Sequence, residues 1–134
     1  MDDIFQVKSS DSDAQLVLRR VDENTYSAEL TSASLSMTTR VYQFGGGDRL
    51  NEFWRDLARD WRGWDGVRTW EPLEGCLYLS AVSDRLGHVT VTVRLEDRVP
   101  FRFAAEAQLL VEAGQLDRIA SEAQRFCRAF GAAA

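Results

Sequence analysis

Two cysteines, one histidine and four tryptophans are the residue types in this 134-residue chain best suited to chemistry. Cys76 and Cys127 lie far apart, outside any CxxC or metal-ligand spacing. Cys127 falls on the apolar stripe of a helix and Cys76 at the start of a strand, so both read as reduced, core-facing thiols. His88 would need carboxylates or a distant cysteine to hold zinc, without the usual spacing. A nucleophile pair would need Cys76 or Cys127 beside His88, and no third orienting group or Gly-rich nucleophile turn accompanies it. His88 reads instead as the residue that opens a strand after the tight Asp84-Arg85-Leu86-Gly87 turn. Asp60, Asp65, Glu71 and Glu74, interleaved with tryptophans, could in principle serve as paired glycosidase acids. The same residues serve equally well as helix ends and turns. Gly45-Gly46-Gly47 lacks the Gly-Lys-Ser/Thr continuation of a phosphate loop and reads as a flexible turn before a helix. The expectation is no enzyme: no catalytic residue, no cofactor and no metal.

Elements must position whatever remains. Residues 3–9 and 14–21 read as strands around the polar stretch Ser9–Asp13. Tyr26, Ala28 and Leu30 alternate with Ser27, Glu29 and Thr31, the period of a half-buried strand. The segment that follows is too long for one strand, so a break and a further strand ending at Tyr42 are expected. Leu50, Phe53, Trp54, Leu57, Ala58 and Trp61 make one continuous helical face, with Asp48 as N-cap or first-turn acid. Cys76–Val82 and Val89–Leu95 form an antiparallel hairpin with Gly87 at the position that needs positive φ. Glu96-Asp97-Arg98 reads as a turn, and Phe101 to Val111 continues the meander. Leu116, Ile119, Ala120, Ala123, Phe126, Cys127 and Phe130 form a second helical stripe, stopped by Gly131. The reading is one α+β domain over 1–134: an antiparallel sheet of about 6–8 strands with two amphipathic helices, about 48–61 and 115–130, packed on it.

The charge balance is 16 basic against 21 acidic residues, a net −5. Residues 1–30 carry most of it, with Asp2, Asp3, Asp11, Asp13, Asp22, Glu23 and Glu29 against Lys8, Arg19 and Arg20. Nucleic-acid binding, which needs clustered positive charge, is not expected. No apolar run is long enough for a membrane helix, and the N-terminus is acidic where a secretory leader would be basic. A cytoplasmic protein without membrane association is expected.

All four tryptophans lie between Trp54 and Trp70. Trp54 and Trp61 sit on the helix stripe and read as core. Trp64 and Trp70 leave two roles open, anchoring a partner or clamping the loop between helix and sheet.

The string Phe53-Trp54-x-x-Leu57-Ala58-x-x-Trp61-x-Gly63-Trp64-x-Gly66 leads on to Trp70-x-x-Leu73-Glu74-Gly75 and Leu77-x-Leu79-x-Ala81-x-x-Asp84. Gly87-His88-Val89, Gly114-Gln115-Leu116-x-x-Ile119-Ala120 and Phe126 follow. Over roughly residues 40–130 this resembles a bacterial family of small proteins of unknown function, similar to the WapI-type immunity proteins of contact-dependent toxin systems. The resemblance implies a binding protein without catalytic residues.

Two functions follow. One is an immunity-type inhibitor that neutralises a cognate toxin by occlusion, with the acidic segment meeting a basic toxin domain. The other is a housekeeping interaction or scaffold module with a different partner. Asp11, Asp13, Asp22 and Glu23 are the charge candidates for partner binding, with Trp64 and Trp70 as anchors. A homodimer through an exposed strand edge is a further arrangement open to the chain.

Overall fold

The chain forms eight strands, alternating strictly in some and loosely in others, among the described residues, which in this computed structural model are 2–98 and 101–130. They form two four-stranded antiparallel meanders, not the single larger sheet expected. The first sheet comprises β1 (Ile4–Lys8), β2 (Gln15–Arg20), β3 (Thr25–Ser32) and β4 (Leu35–Tyr42). The second comprises β5 (Arg68–Trp70), β6 (Leu77–Ser83), β7 (His88–Arg98) and β8 (Phe101–Glu112). The helix α1 (Leu50–Arg59) lies between them in the chain and α2 (Leu116–Arg128) follows the second. The α+β class holds. The division has a local cause, because the chain leaves the first sheet at Tyr42 through a glycine-rich turn and a helix. A period of two does not say which sheet a strand joins.

Register places one parity of most strands inward, while in β2 Val17 is buried as well as Leu16 and Leu18. Phe5, Leu18 and Ala28 stand opposite one another across β1–β3, as do Val7, Leu16 and Leu30. Leu79, Val93 and Ala107 do the same across β6–β8, beside Ala81, Val91 and Leu109. The inner faces of both sheets and the two helix stripes meet in one core cluster. Trp54 is fully buried, with its ring edge-on to Phe5 at 5.9 Å, and Phe126 lies 5.6 Å from Tyr26. Burying a phenylalanine such as Phe5 or Phe126 contributes about 1.5–3 kcal/mol. The sheets are also tied by hydrogen bonds, because Ser10 N–H donates to the Leu110 main-chain oxygen at 2.8 Å and Leu110 N–H to the Ser9 side-chain Oγ at 3.0 Å.

Several boundaries differ from the expected ones. The first helix starts at Leu50, not 48, and its N-cap residue is Arg49 in a left-handed conformation without a side-chain cap. Asp48 therefore does not cap the helix; its Oδ1 accepts the Phe44 N–H at 3.2 Å. The helix ends at Arg59, before Trp61, because Asp60 leaves helical geometry at φ −102°, ψ 36°. Trp61 is thereby turned out of the core and is 52% exposed, with the Arg62 guanidinium 5.1 Å over its ring. Glu96-Asp97-Arg98 is not a turn, since β7 runs on to Arg98 with an irregularity in its pairing at Asp97/Arg98. The second helix spans 116–128 and is entered by a short tight turn in which Gln115 Oε1 accepts the Glu112 N–H at 3.1 Å. Gly131, expected to stop it, lies outside the described residues. The hairpin between β6 and β7 forms as read, with Gly87 at φ 98°. No described helix is long and apolar enough to cross a membrane.

Candidate protein-binding surface

The chemically capable residues do not converge. Both cysteines are buried, and burial pushes the Cys127 thiol up to about 11. His88 lies on the solvent side, its Nδ1 2.8 Å from Asp84 Oδ2 and its Nε2 3.6 Å from Glu112 Oε2. The hydrogen bond and charge of Asp84 raise the imidazole's pKa above its ordinary value. Among the described residues, no group of three or more His, Cys, Asp and Glu side chains could hold a metal ion. The outer face of the second sheet carries an open groove of about 390 Å³ lined by Thr69, Tyr78, Ser80, Thr92, Arg94 and Glu106. Its one cation, Arg94, already pairs with Glu96 at 2.9 Å.

The acidic candidates separate. Asp11 and Asp13 sit in the β1–β2 turn, where Ser9 Oγ donates to Asp11 Oδ1 at 2.7 Å. Asp22 and Glu23 sit in the β2–β3 turn, at the other end of β2. A six-residue strand puts about 20 Å between the two turns. Asp22 Oδ1 accepts the N–H groups of Asn24 at 2.8 Å and Thr25 at 3.0 Å. The Asn24 bond is the largest of the effects that hold the Asp22 carboxyl below the usual range. Asp2, Asp3 and Glu29 instead face Arg125, Arg20 and Arg19.

Neither tryptophan candidate presents a broad face. Trp64 is 6% exposed, its Nε1 donating to the Ala81 oxygen at 3.4 Å beneath the Arg68 guanidinium. Trp70 is half-buried, and its Nε1 donates to the Asp48 oxygen at 2.9 Å.

What the fold assembles around Asp22 and Glu23 is an aromatic patch. Gln43, buried between Tyr42 and Phe44, reaches the β2–β3 turn: its N–H donates to the Asn24 oxygen at 2.7 Å and its Nε2 to the Glu23 oxygen at 2.9 Å. Tyr42 and Phe44, spaced by two, share one side of the chain. Their rings are 4.9 Å apart, edge to face, and 41% and 56% exposed. Tyr42 N–H donates to Glu74 Oε1 at 3.1 Å, which draws the β5–β6 loop and its exposed Leu73 to the same end. Val21 N–H bonds the Thr25 oxygen, and Thr25 stands opposite Tyr42, so exposed Val21 extends the same row. The result is a group of exposed apolar side chains with Asp22, Glu23 and Glu74 at its rim. Arg40, two residues before Tyr42, borders it, and its charge acts on Asp22.

The patch rests on an unusual backbone. Gly45, Gly46, Gly47, Asp48 and Arg49 all have positive φ. Gln43 Oε1 accepts the N–H groups of Gly45 at 2.7 Å and Gly47 at 3.1 Å. Burial, aided by the charge of Glu74, raises the Asp48 carboxyl above its usual pKa, and its Oδ2 is a buried atom without a hydrogen-bond partner. Sequence reasoning missed Tyr42, Phe44 and Leu73 as candidates and weighed Glu74 only as a paired acid. The only signal was two aromatics at a spacing of two, ahead of a glycine run.

A family model, described as a family of unknown function (DUF6228), matches residues 8–129. No curated protein and no solved structure matches the chain. The matched span runs from the end of β1 past the end of α2, and so includes the whole patch. The chain belongs to this family of unknown function, DUF6228.

Proposed function

We propose that this is a non-enzymatic binding protein of the cytoplasm, an immunity-type inhibitor that neutralises a cognate bacterial toxin by occlusion. The observation that carries the reading is the exposed Tyr42–Phe44 pair with Asp22, Glu23 and Glu74 around it. Exposed aromatics amid polar residues are the usual anchors of protein interfaces. An acidic rim favours a basic partner and speeds encounter with it, and toxins that attack nucleic acid are commonly basic because their substrate is anionic. Covering the toxin's cationic surface excludes that substrate by bulk and by charge, so the inhibitor needs no catalytic group.

Co-expression with a toxin domain encoded beside this gene tests the reading. Growth should be rescued and a stable complex should elute as one species. Binding without rescue would favour an interaction module over an inhibitor. Neither rescue nor complex with any neighbouring domain would overturn the proposal.

A further inference from the structure

We propose that the Tyr42–Phe44 pair is a receptor for an arginine side chain of the partner protein, with Glu74 and the Asp22–Glu23 turn as its anionic rim. This rests on the binding reading above and adds the chemistry of the contact.

Three observations support it. First, the edge-to-face arrangement at 4.9 Å leaves aromatic surface of both rings open to solvent. A ring face is the negative end of its quadrupole and attracts cations. Second, the surrounding charge is of the complementary sign: Asp22, Glu23 and Glu74 outnumber the bordering Arg40 and Arg20, the latter reaching the Asp22 main-chain oxygen at 3.4 Å. Glu74 spends one oxygen on the Tyr42 N–H, yet the residue stays exposed. Third, the protein already stacks arginines on its own aromatics. Arg68 lies 4.8 Å over Trp64, Arg62 lies 5.1 Å over Trp61 and Arg20 lies 5.7 Å over Phe130. Among the described residues no cation occupies that position over Tyr42 or Phe44. Arginine fits better than lysine because a planar guanidinium can lie on a ring while its edge forms paired bonds to a carboxylate.

The test uses the full chain with hexa-arginine amide and hexa-lysine amide as probes, titrated by calorimetry at low ionic strength. The wild type should bind the arginine peptide about two- to five-fold more tightly, the range of an exposed cation–π contact. Tyr42→Ala/Phe44→Ala keeps the charge and should shrink that ratio, leaving only the smaller arginine preference that paired bonds to the carboxylates provide. Glu74→Gln keeps the acceptor for Tyr42 N–H and should weaken both. Thermal melts confirm that the variants fold. Equal binding of the two peptides by the wild type, or a preference that survives loss of both rings undiminished, would overturn the inference. Toxin rescue without arginine preference removes this inference alone. Arginine preference without rescue removes the inhibitor reading alone.

Discussion

The indole N–H of Trp70 donates to the main-chain oxygen of Asp48 at 2.9 Å, pinning β5 to the left-handed turn that launches α1. Asp48 and Arg49 hold φ of 56° and 66° there, a conformation that non-glycine residues adopt only when tertiary contacts impose it. Asp48 in turn receives the Phe44 N–H, so the indole indirectly holds one ring of the exposed pair. Trp70→Phe keeps an aromatic ring and removes the donor. It should cost about 0.5–1.5 kcal/mol in urea denaturation, the net worth of one hydrogen bond. An unchanged midpoint would show that the turn is held without Trp70.

Gly47 faces Cys127 across the same turn. A Cβ on Gly47 would lie 2.8 Å from Cys127 Sγ, at a φ of +70°. Gly47→Ala should destabilise by roughly 1–3 kcal/mol from overpacking, with left-handed strain of about 1–2 kcal/mol in addition. Pairing it with Cys127→Ala relieves the first effect only. The double variant should therefore be more stable than the summed single effects by at least about 0.5 kcal/mol. Strict additivity would place the cost in the backbone alone.

His88 joins the β6–β7 turn to the end of β8 through Asp84 and Glu112. Its folded pKa lies above the ordinary 6.5, chiefly through the Asp84 hydrogen bond. A raised pKa means the contribution is fully present below the unfolded value and is lost as pH rises through the higher folded value. Asp84 is held below its ordinary 3.8, so its contribution is lost as pH falls through that lowered value. The stability difference between wild type and His88→Gln should be largest between these limits and shrink on the alkaline side. A difference that grows with rising pH would reverse the assignment.

The acidic turns should behave unequally. Asp22→Ser/Glu23→Ser removes charge beside the aromatic pair, whereas Asp11→Ser/Asp13→Ser removes the same charge at the far end of β2. The first variant should slow association with the partner at low salt and flatten its salt dependence, while the second should change the on-rate less. Equal effects from both would mean that the net charge steers the encounter, rather than this end of the molecule.

Much of the scaffold was legible because it is periodic. Val89 to Leu95 alternate without a break, and Leu50, Phe53, Trp54 and Leu57 repeat at helical spacing, so both faces could be assigned from pattern alone. Trp61 continued that stripe in sequence, but the helix ends before it, and periodicity carries no stop signal there. The glycine run could be seen, whereas the left-handed state of Asp48 and Arg49 could not, because distant Trp70, together with the nearby Gln43 side chain, holds the turn. The division into two sheets was hidden for the same reason that strands are easy to find: alternation is local. The candidate surface was the least legible feature. The β2–β3 turn, the end of β4 and Glu74 meet through hydrogen bonds of Gln43 to Glu23 and Asn24 and of Tyr42 to Glu74, between segments far apart in the chain. Conversely, four acids close in sequence were sent by one strand to two ends.

The affinity of Tyr42→Ala/Phe44→Ala for a toxin domain that the wild type binds tests the central claim most directly. Both rings are exposed, so the variant should fold and melt close to the wild type. If this end carries the interface, Kd should rise by about 30-fold or more, as for loss of a central anchor of about 2 kcal/mol. A Kd within two-fold of the wild type, in a folded variant, would contradict the account and move the binding site elsewhere on the protein.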